Sequence, residues 1–232
     1  MKKRGFTLAE VMIAMALIGV IASLTIPTFV SSSRNKANAA KLATIVSATE
    51  NALTSMIASE AANDLSETAF GQAQTDINLG KYLKLAGSET SITKYYSSSN
   101  PFVTLNRGSM SGFSVSRIFE TKNGALLMYK DGAVTRANYE SLGGTVDSSI
   151  GTLVIDVNGS AKPNVWGRDA FYFRIGNDGT LYPAGSLNFS ILEDGNKDNL
   201  WDNTGSKYTC TSTSKNIGCT ACLIENNYEI TY

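Results

Sequence analysis

The pattern of hydrophobic and polar positions divides the first part of the chain into two helical segments. Residues 11–30 form a run of twenty without a formal charge, and at about 1.5 Å per residue this run reaches roughly 30 Å, the thickness of a bilayer's hydrocarbon core. Beyond it, apolar residues recur at spacings of three, four and seven, so residues 31–62 are predicted to continue as an amphipathic helix. This apolar stripe consists of Leu42, Ile45, Val46, Leu53, Met56 and Ile57.

The remainder of the chain predicts a sheet. Residues 63–112 are rich in serine, threonine, glycine and asparagine and are interpreted as a connecting region, with one short helix around residues 79–85. Residues 113–232 contain alternating runs and glycine turns, which predict antiparallel hairpins that turn at Asp131-Gly132 and at residues 177–179. We therefore expect an α+β fold, in which a C-terminal antiparallel β-sheet covers the apolar stripe of the long helix.

Composition argues against several classes of function. The 232 residues suffice for one globular core and an appendage. The chain has no histidine, which removes His-based catalytic triads, His-ligated metal sites and the commonest general base. Basic and acidic residues balance at 20 each, so no basic surface for nucleic acid is evident. We do not expect an enzyme.

Charges beside the apolar run predict its orientation in a membrane. Lys2, Lys3 and Arg4 precede the run, and Arg34 and Lys36 follow it. The denser N-terminal cluster is expected to stay in the cytoplasm, which places the C-terminal domain outside the inner membrane. The prediction is a single-pass anchor whose transmembrane helix covers residues 6–30.

Glu10 lies at the start of this apolar helix and needs a physical explanation. A carboxylate costs on the order of 3 kcal/mol at the centre of a membrane helix and less near the interface, so it is rare without a partner. A secretory signal peptide has a shorter apolar core and avoids acid there, and a plain anchor helix leaves Glu10 unexplained. A cut after Gly5 would expose the α-amino group of Phe6, which could pair with Glu10 in a bundle of helices.

The segment Lys2-Lys3-Arg4-Gly5-Phe6-Thr7-Leu8-Ala9-Glu10, followed by an apolar helix, resembles the class III signal of type IV pilins and type II secretion pseudopilins. The resemblance implies that a prepilin peptidase removes residues 1–5, cutting between Gly5 and Phe6, and methylates the new terminus. It also implies that Glu10 aligns the subunit during assembly. Gly19 and Pro27 fall where the family commonly places residues that loosen or kink the helix.

This resemblance implies the partners and the location of the chain. We expect a structural subunit that rests in membrane lipid, meets the inner-membrane assembly platform, and polymerises with itself and other pilins. The filament would be a periplasmic pseudopilus or an extracellular type IV pilus. The alternative is a single-pass anchored extracytoplasmic binding domain or enzyme, and Glu10 separates the two because a simple anchor has no use for it.

A calcium loop is one candidate site in the C-terminal region. Oxygen-bearing side chains at relative positions one, three, five and nine match part of an EF-hand-type loop, although Asn199 replaces its glycine and no glutamate closes position twelve. The resemblance to major pseudopilins, which carry a C-terminal calcium loop, favours a structural calcium ion, and a simple acidic turn is the alternative. The candidate ligands are Asp194, Asn196, Asp198 and Asp202.

A polar loop between two predicted strands is a second candidate. It contains Asp156, Asn158, Asn164 and Asp169, whose oxygens suit a cation or a contact between subunits. The alternative, which we favour, is a cluster of turns whose Asx side chains bond to their own backbone.

The three cysteines all lie near the C-terminal end, which favours a disulfide bond that forms in an oxidising compartment and ties down this end of the chain. Cys210, Cys219 and Cys222 permit three single pairings. A bridge from Cys210 to either of the others closes a loop of about ten residues and is worth roughly 2 to 3 kcal/mol. The Cys219–Cys222 spacing is of a redox type but lacks a thioredoxin-like context. The resemblance to the C-terminal disulfide loop of type IV pilins implies a bridge from Cys210.

Overall fold

One long helix dominates the computed structural model, which describes residues 5–72, 79–86, 102–108, 115, 117–134, 149–159, 161–162, 164–184, 210–212 and 218–232. Helix α1 runs continuously over Leu8–Ser59. Its large apolar side chains up to Val30 are exposed, whereas its buried residues begin at Ala39 and recur every three or four positions as far as Met56. The second half therefore has the amphipathic stripe that its spacing predicts.

The strands are β1 (Arg117–Glu120), β2 (Leu126–Val134), β3 (Ser149–Asp156), β4 (Ala170–Gly176) and β5 (Leu181–Pro183). Within the described residues they form one five-stranded sheet in the order β1-β2-β3-β4-β5. Every neighbouring pair is antiparallel. The predicted α+β fold, a long N-terminal helix followed by an antiparallel sheet, is confirmed.

The predicted hairpin turn at Asp131-Gly132 is wrong, because both residues lie inside β2. Asp131 pairs with Gly151 and Val134 pairs with Ser149, so the register shifts between these two pairs. Asp-Gly suits a bulge as well as a turn, since glycine tolerates the unusual backbone angles of both. The predicted turn between β4 and β5 is confirmed: Thr180 N donates to Asp178 Oδ1 at 2.9 Å.

The sheet is buried on both faces. One face packs against the stripe of α1, and β4 is buried at every position. The opposite face forms a second cluster that includes Met128, Val154 and Tyr172, covered in part by Phe102 and Trp166, whose ring centroids lie 4.9 Å apart. A mostly apolar strand such as β4 is typical of two-sided burial, although Arg174 lies within it and is also completely buried.

Two 3-10 turns contact the sheet at different places. The turn at Leu65–Glu67 follows α1, and its Leu65 N donates to Asn177 O, between β4 and β5, at 2.7 Å. The turn at Leu79–Lys81, where the sequence predicts a short helix, lies near β1. After the second turn, Ala86 N donates to Glu120 O at 2.7 Å and Lys122 N donates to Lys84 O at 3.0 Å. These bonds occupy backbone groups of the edge strand, which would otherwise be open to pairing with another chain.

Glu50 of α1 ties the helix to the other edge of the sheet. Its Oε1 accepts a hydrogen bond of 3.0 Å from the backbone N of Leu181 in β5. Burial and the nearby Glu50 carboxylate raise the pKa of Tyr228, which places the C-terminal segment beside the same group. A helix carboxylate therefore caps an edge strand that has only three residues.

Substituting Glu50→Ala should lower the free energy of unfolding by about 1 to 2 kcal/mol, since a partly buried N–H loses its charged acceptor. Urea unfolding of the detergent-solubilised chain, followed by tryptophan fluorescence, measures this change. Ser47→Ala, at an exposed position of the same helix, is the control. An equal loss in the control, or no loss in Glu50→Ala, would contradict the assigned contact.

Candidate functional site

The first turn of α1 is organised by Thr7 and Glu10. Thr7 N and Thr7 Oγ1 each donate to Glu10 Oε2 at 2.8 Å, and Glu10 N donates to Thr7 Oγ1 at 3.2 Å. This is a reciprocal capping box, which satisfies backbone donors that a helix start leaves open. Sequence reasoning missed the role of Thr7, although the T-x-x-E spacing is itself a recognised signal of a helix start.

The predicted cleavage junction lies directly before this cap and is open. Nothing lies within 4 Å of the place where a Cβ on Gly5 would stand, and the Phe6 side chain is 89% exposed. Among the described residues, the junction is therefore accessible from solvent. Processing at Gly5 and Phe6 itself stays a prediction.

The apolar surface of α1 surrounds the helix. Leu24 is 70% exposed and Phe29 is 73% exposed, and the other large apolar side chains between them and the cap are likewise exposed. By length and composition, one helix among the described residues, Leu8–Ser59, is suited to cross a membrane. A surface of this size does not stay in water, so it requires lipid or other helices.

Gly19 and Pro27 lie within this apolar part, and α1 remains helical through both. Proline has no N–H and so removes one backbone hydrogen bond. Two nearby hydroxyl groups bond to carbonyls that precede Pro27: Ser23 Oγ donates to Val20 O at 2.8 Å and Thr28 Oγ1 donates to Thr25 O at 2.9 Å. The predicted loosening of the helix at Gly19 and Pro27 stays a prediction.

The loop between β3 and β4 is held by the side chains of buried acids. Asn158 N donates to Asp156 Oδ1 at 3.2 Å, as expected of an Asx turn. Asp169 accepts from Val165 N and, at 3.3 Å, from Asn158 Nδ2. Burial raises the pKa of Asp169 to about 7, against the opposing effect of these hydrogen bonds. This arrangement favours the interpretation as a turn cluster.

The same loop joins the helix to the C-terminal segment. Asn38 Nδ2 of α1 donates to Arg168 O at 3.1 Å, and Tyr232 Oη donates to Gly167 O at 2.6 Å. Gly167 has φ +85°, and a Cβ there would lie 2.8 Å from Cys219 Cβ. Only glycine fits between this turn and the cysteine.

A disulfide joins Cys210 to Cys219, with the Cα atoms 5.3 Å apart, inside the usual range for such bonds. Cys219 begins the short helix α2, Cys219–Glu225. Cys222 lies one turn further along α2, is half-buried and is not part of this bond. Of the three pairings that the sequence leaves open, the structure contains one from Cys210, which staples α2 beside the β3–β4 loop.

The predicted calcium ligands Asp194, Asn196, Asp198 and Asp202 lie outside the described residues. In the part of the chain that the structure describes, no group of three or more His, Cys, Asp or Glu residues could hold a metal ion. Nothing there supports calcium, and this loop remains a prediction from the sequence.

Comparison with known proteins points to the N-terminal segment. Residues 1–26 match the family model described as the prokaryotic N-terminal methylation motif. The chain is 44% identical over 52 residues to the type II secretion system core protein G of Escherichia coli (strain K12), a match that covers 22% of this chain and 35% of that protein. No solved structure matches the chain significantly. The resemblance to type IV pilins and pseudopilins is confirmed by these matches.

The buried carboxyl of Asp169 should make stability depend on pH. Its pKa in the folded chain is raised to about 7 from an ordinary value of 3.8, so the folded state binds the proton that the unfolded state has released. The free energy of unfolding should therefore fall as pH rises from about 4 to about 7, by up to about 1.4 kcal/mol per pH unit.

Urea unfolding across this pH range, with Asp169→Asn as the matched variant, isolates the contribution. The free energy of unfolding of the wild-type chain, minus that of the variant, should fall between about pH 4 and about pH 7 and stay constant at higher pH. A difference that is constant with pH would show that Asp169 does not titrate in this window.

Proposed function

We propose that the chain is a structural subunit of a type IV pilus or a type II secretion pseudopilus. In this proposal a prepilin peptidase removes residues 1–5 and methylates the amino group of Phe6, and the trimmed subunit polymerises through α1. The observation that carries it is Glu10, an exposed carboxylate at the start of the apolar, exposed part of α1. Thr7 donates hydrogen bonds to this carboxylate, but its net charge in an apolar environment is offset only by a cation.

The geometry of the cap allows Glu10 to serve two purposes. The hydrogen bonds from Thr7 N and Thr7 Oγ1 both end on Glu10 Oε2. Oε1 is then available to the α-amino group of Phe6 on a neighbouring subunit. Such a pair neutralises two charges among packed apolar helices, and it requires that the leader has been removed.

The proposed surroundings follow from the same segment. Before assembly the subunit rests in the inner membrane with its N-terminus in the cytoplasm, in contact with lipid and with the assembly platform. Afterwards it packs with itself and other pilins in the periplasm or outside the cell. Trimming removes three basic residues, so the formal charge of the mature chain is 17 minus 20, or −3. The function proposed is mechanical and not enzymatic.

Two features bear on the kind of filament. A relative with a significant match is named as a core protein of a secretion system, which favours a pseudopilus. The Cys210–Cys219 bridge closes a short C-terminal loop, which resembles the staple of type IV pilins. The proposal therefore covers both assemblies, which share the processing step and the helix packing.

Mass spectrometry of the membrane-extracted chain should find a mature N-terminus at Phe6 that carries an N-methyl group. Gly5→Leu should abolish the cut, because the peptidase must grip an extended backbone without a bulky side chain. Ala9→Leu, which changes the bulk a few residues beyond the bond, is the matched control and should be processed. An intact N-terminus in the wild-type chain, or a cut near Ala22, would contradict the proposed pilin-like processing.

Replacing Glu10 should separate capping from charge pairing. Glu10→Gln keeps oxygen for the capping box but has no charge, and Glu10→Val loses both. If Glu10 pairs with an amine, both variants should be processed normally yet lose filaments at least about tenfold, equivalent to about 1.4 kcal/mol per contact. Sheared-filament yield and electron microscopy provide the count. Normal filaments from Glu10→Gln would limit the role of Glu10 to the cap and would contradict the proposed pairing with an amine.

A further inference from the structure

A groove lies where α1 leaves its apolar run. Its walls are residues 27–36 of the helix and residues 229–232 of the C-terminal segment, and its volume is about 650 Å³, within the range of ordinary ligand sites. The uncharged run ends at Val30. The helix wall covers nine residue steps, or about 13 Å, and so crosses the layer of lipid headgroups, about 5 to 8 Å thick on each side of a bilayer.

The two walls carry opposite charges. Lys36 on the helix and Glu229 on the C-terminal segment both line the groove and are both exposed. Beside Lys36 the helix wall offers hydrogen-bond donors suited to phosphate oxygens. These are the hydroxyls of Ser31 and Ser32 and the amide of Asn35. The groove thus has a cation and several hydrogen-bond donors on one wall and a carboxylate on the other.

The walls are held together by contacts outside the groove. Asn38, just beyond the helix wall, bonds to Arg168 O, and Tyr232 in the opposite wall bonds to the adjacent Gly167 O. Ile230 packs against the main core. Both walls are therefore fixed to the β3–β4 loop, and the site exists before a ligand arrives, which lowers the entropic cost of binding.

We propose that this groove binds the headgroup of a phosphatidylethanolamine lipid in the leaflet on the side of the globular domain. The phosphate would lie on Lys36 and the helix hydroxyls, and the primary ammonium would lie on Glu229. A choline headgroup has no N–H to donate, and a glycerol headgroup brings no cation to Glu229. The inference rests on the membrane anchoring proposed above and does not depend on polymerisation.

Native mass spectrometry of the full chain tests the site directly. The protein is reconstituted in nanodiscs with equal amounts of phosphatidylethanolamine, phosphatidylcholine and phosphatidylglycerol, and the lipids retained on release are counted. The wild-type chain should favour phosphatidylethanolamine over phosphatidylcholine by about fivefold, as expected for one exposed ion pair. Lys36→Ala should lower its retention by about fivefold.

Two further variants distinguish a built site from general attraction to the membrane. Arg34→Ala removes an exposed cation at the same depth that does not line the groove, and it should leave retention unchanged. Glu229→Gln should abolish the preference for phosphatidylethanolamine over phosphatidylcholine. Equal retention of the three lipids by the wild-type chain, equal losses in Arg34→Ala and Lys36→Ala, or an unchanged preference in Glu229→Gln would each overturn the proposal.

The outcome is independent of the filament experiments. Retention is measured on the subunit in a bilayer, so a chain that is never trimmed or polymerised can still bind the lipid. If a chain without lipid preference forms normal filaments, the proposed lipid site is rejected and the proposed function still stands.

Discussion

One continuous helix has to satisfy two different environments, and the rest of the structure depends on that constraint. Up to Val30 the helix presents apolar side chains to its surroundings on all sides, so it needs lipid or other helices. From Ala39 to Met56 it presents a single apolar stripe, which the sheet covers. The domain therefore attaches to only part of the helix, and the apolar part remains available for assembly.

A polar junction holds the domain at the point where these environments meet. The β3–β4 loop receives bonds from Asn38 of the helix and from Tyr232 of the C-terminal segment, and the disulfide at Cys219 lies against its Gly167. Within the loop, Asp169 is almost completely buried and bonded to the backbone. The junction therefore combines several hydrogen bonds with one covalent bond.

Glu10 and the groove at Lys36 lie near opposite ends of the apolar run of α1. At one end of the apolar run, a carboxylate already satisfied by Thr7 keeps an oxygen for a partner. At the other end, the exposed Lys36 and Glu229, which carry opposite charges, both line the groove. Exposed ion pairs are weak individually, so in the proposed function contacts made in the bilayer would be exchanged for contacts between subunits at low cost.

The sequence by itself determined the membrane-length helix, the signal around Gly5 and Glu10, the apolar stripe and the turn before β5, because each is written in neighbouring residues or in a short period. Only the tertiary structure decided that Asp131-Gly132 continues β2, that Cys219 rather than Cys222 joins Cys210, and that Glu50 caps the sheet edge. It also decided the raised pKa of Asp169. These outcomes depend on which segments, distant in the sequence, come into contact and on which side chains those contacts bury. A local sequence pattern specifies neither.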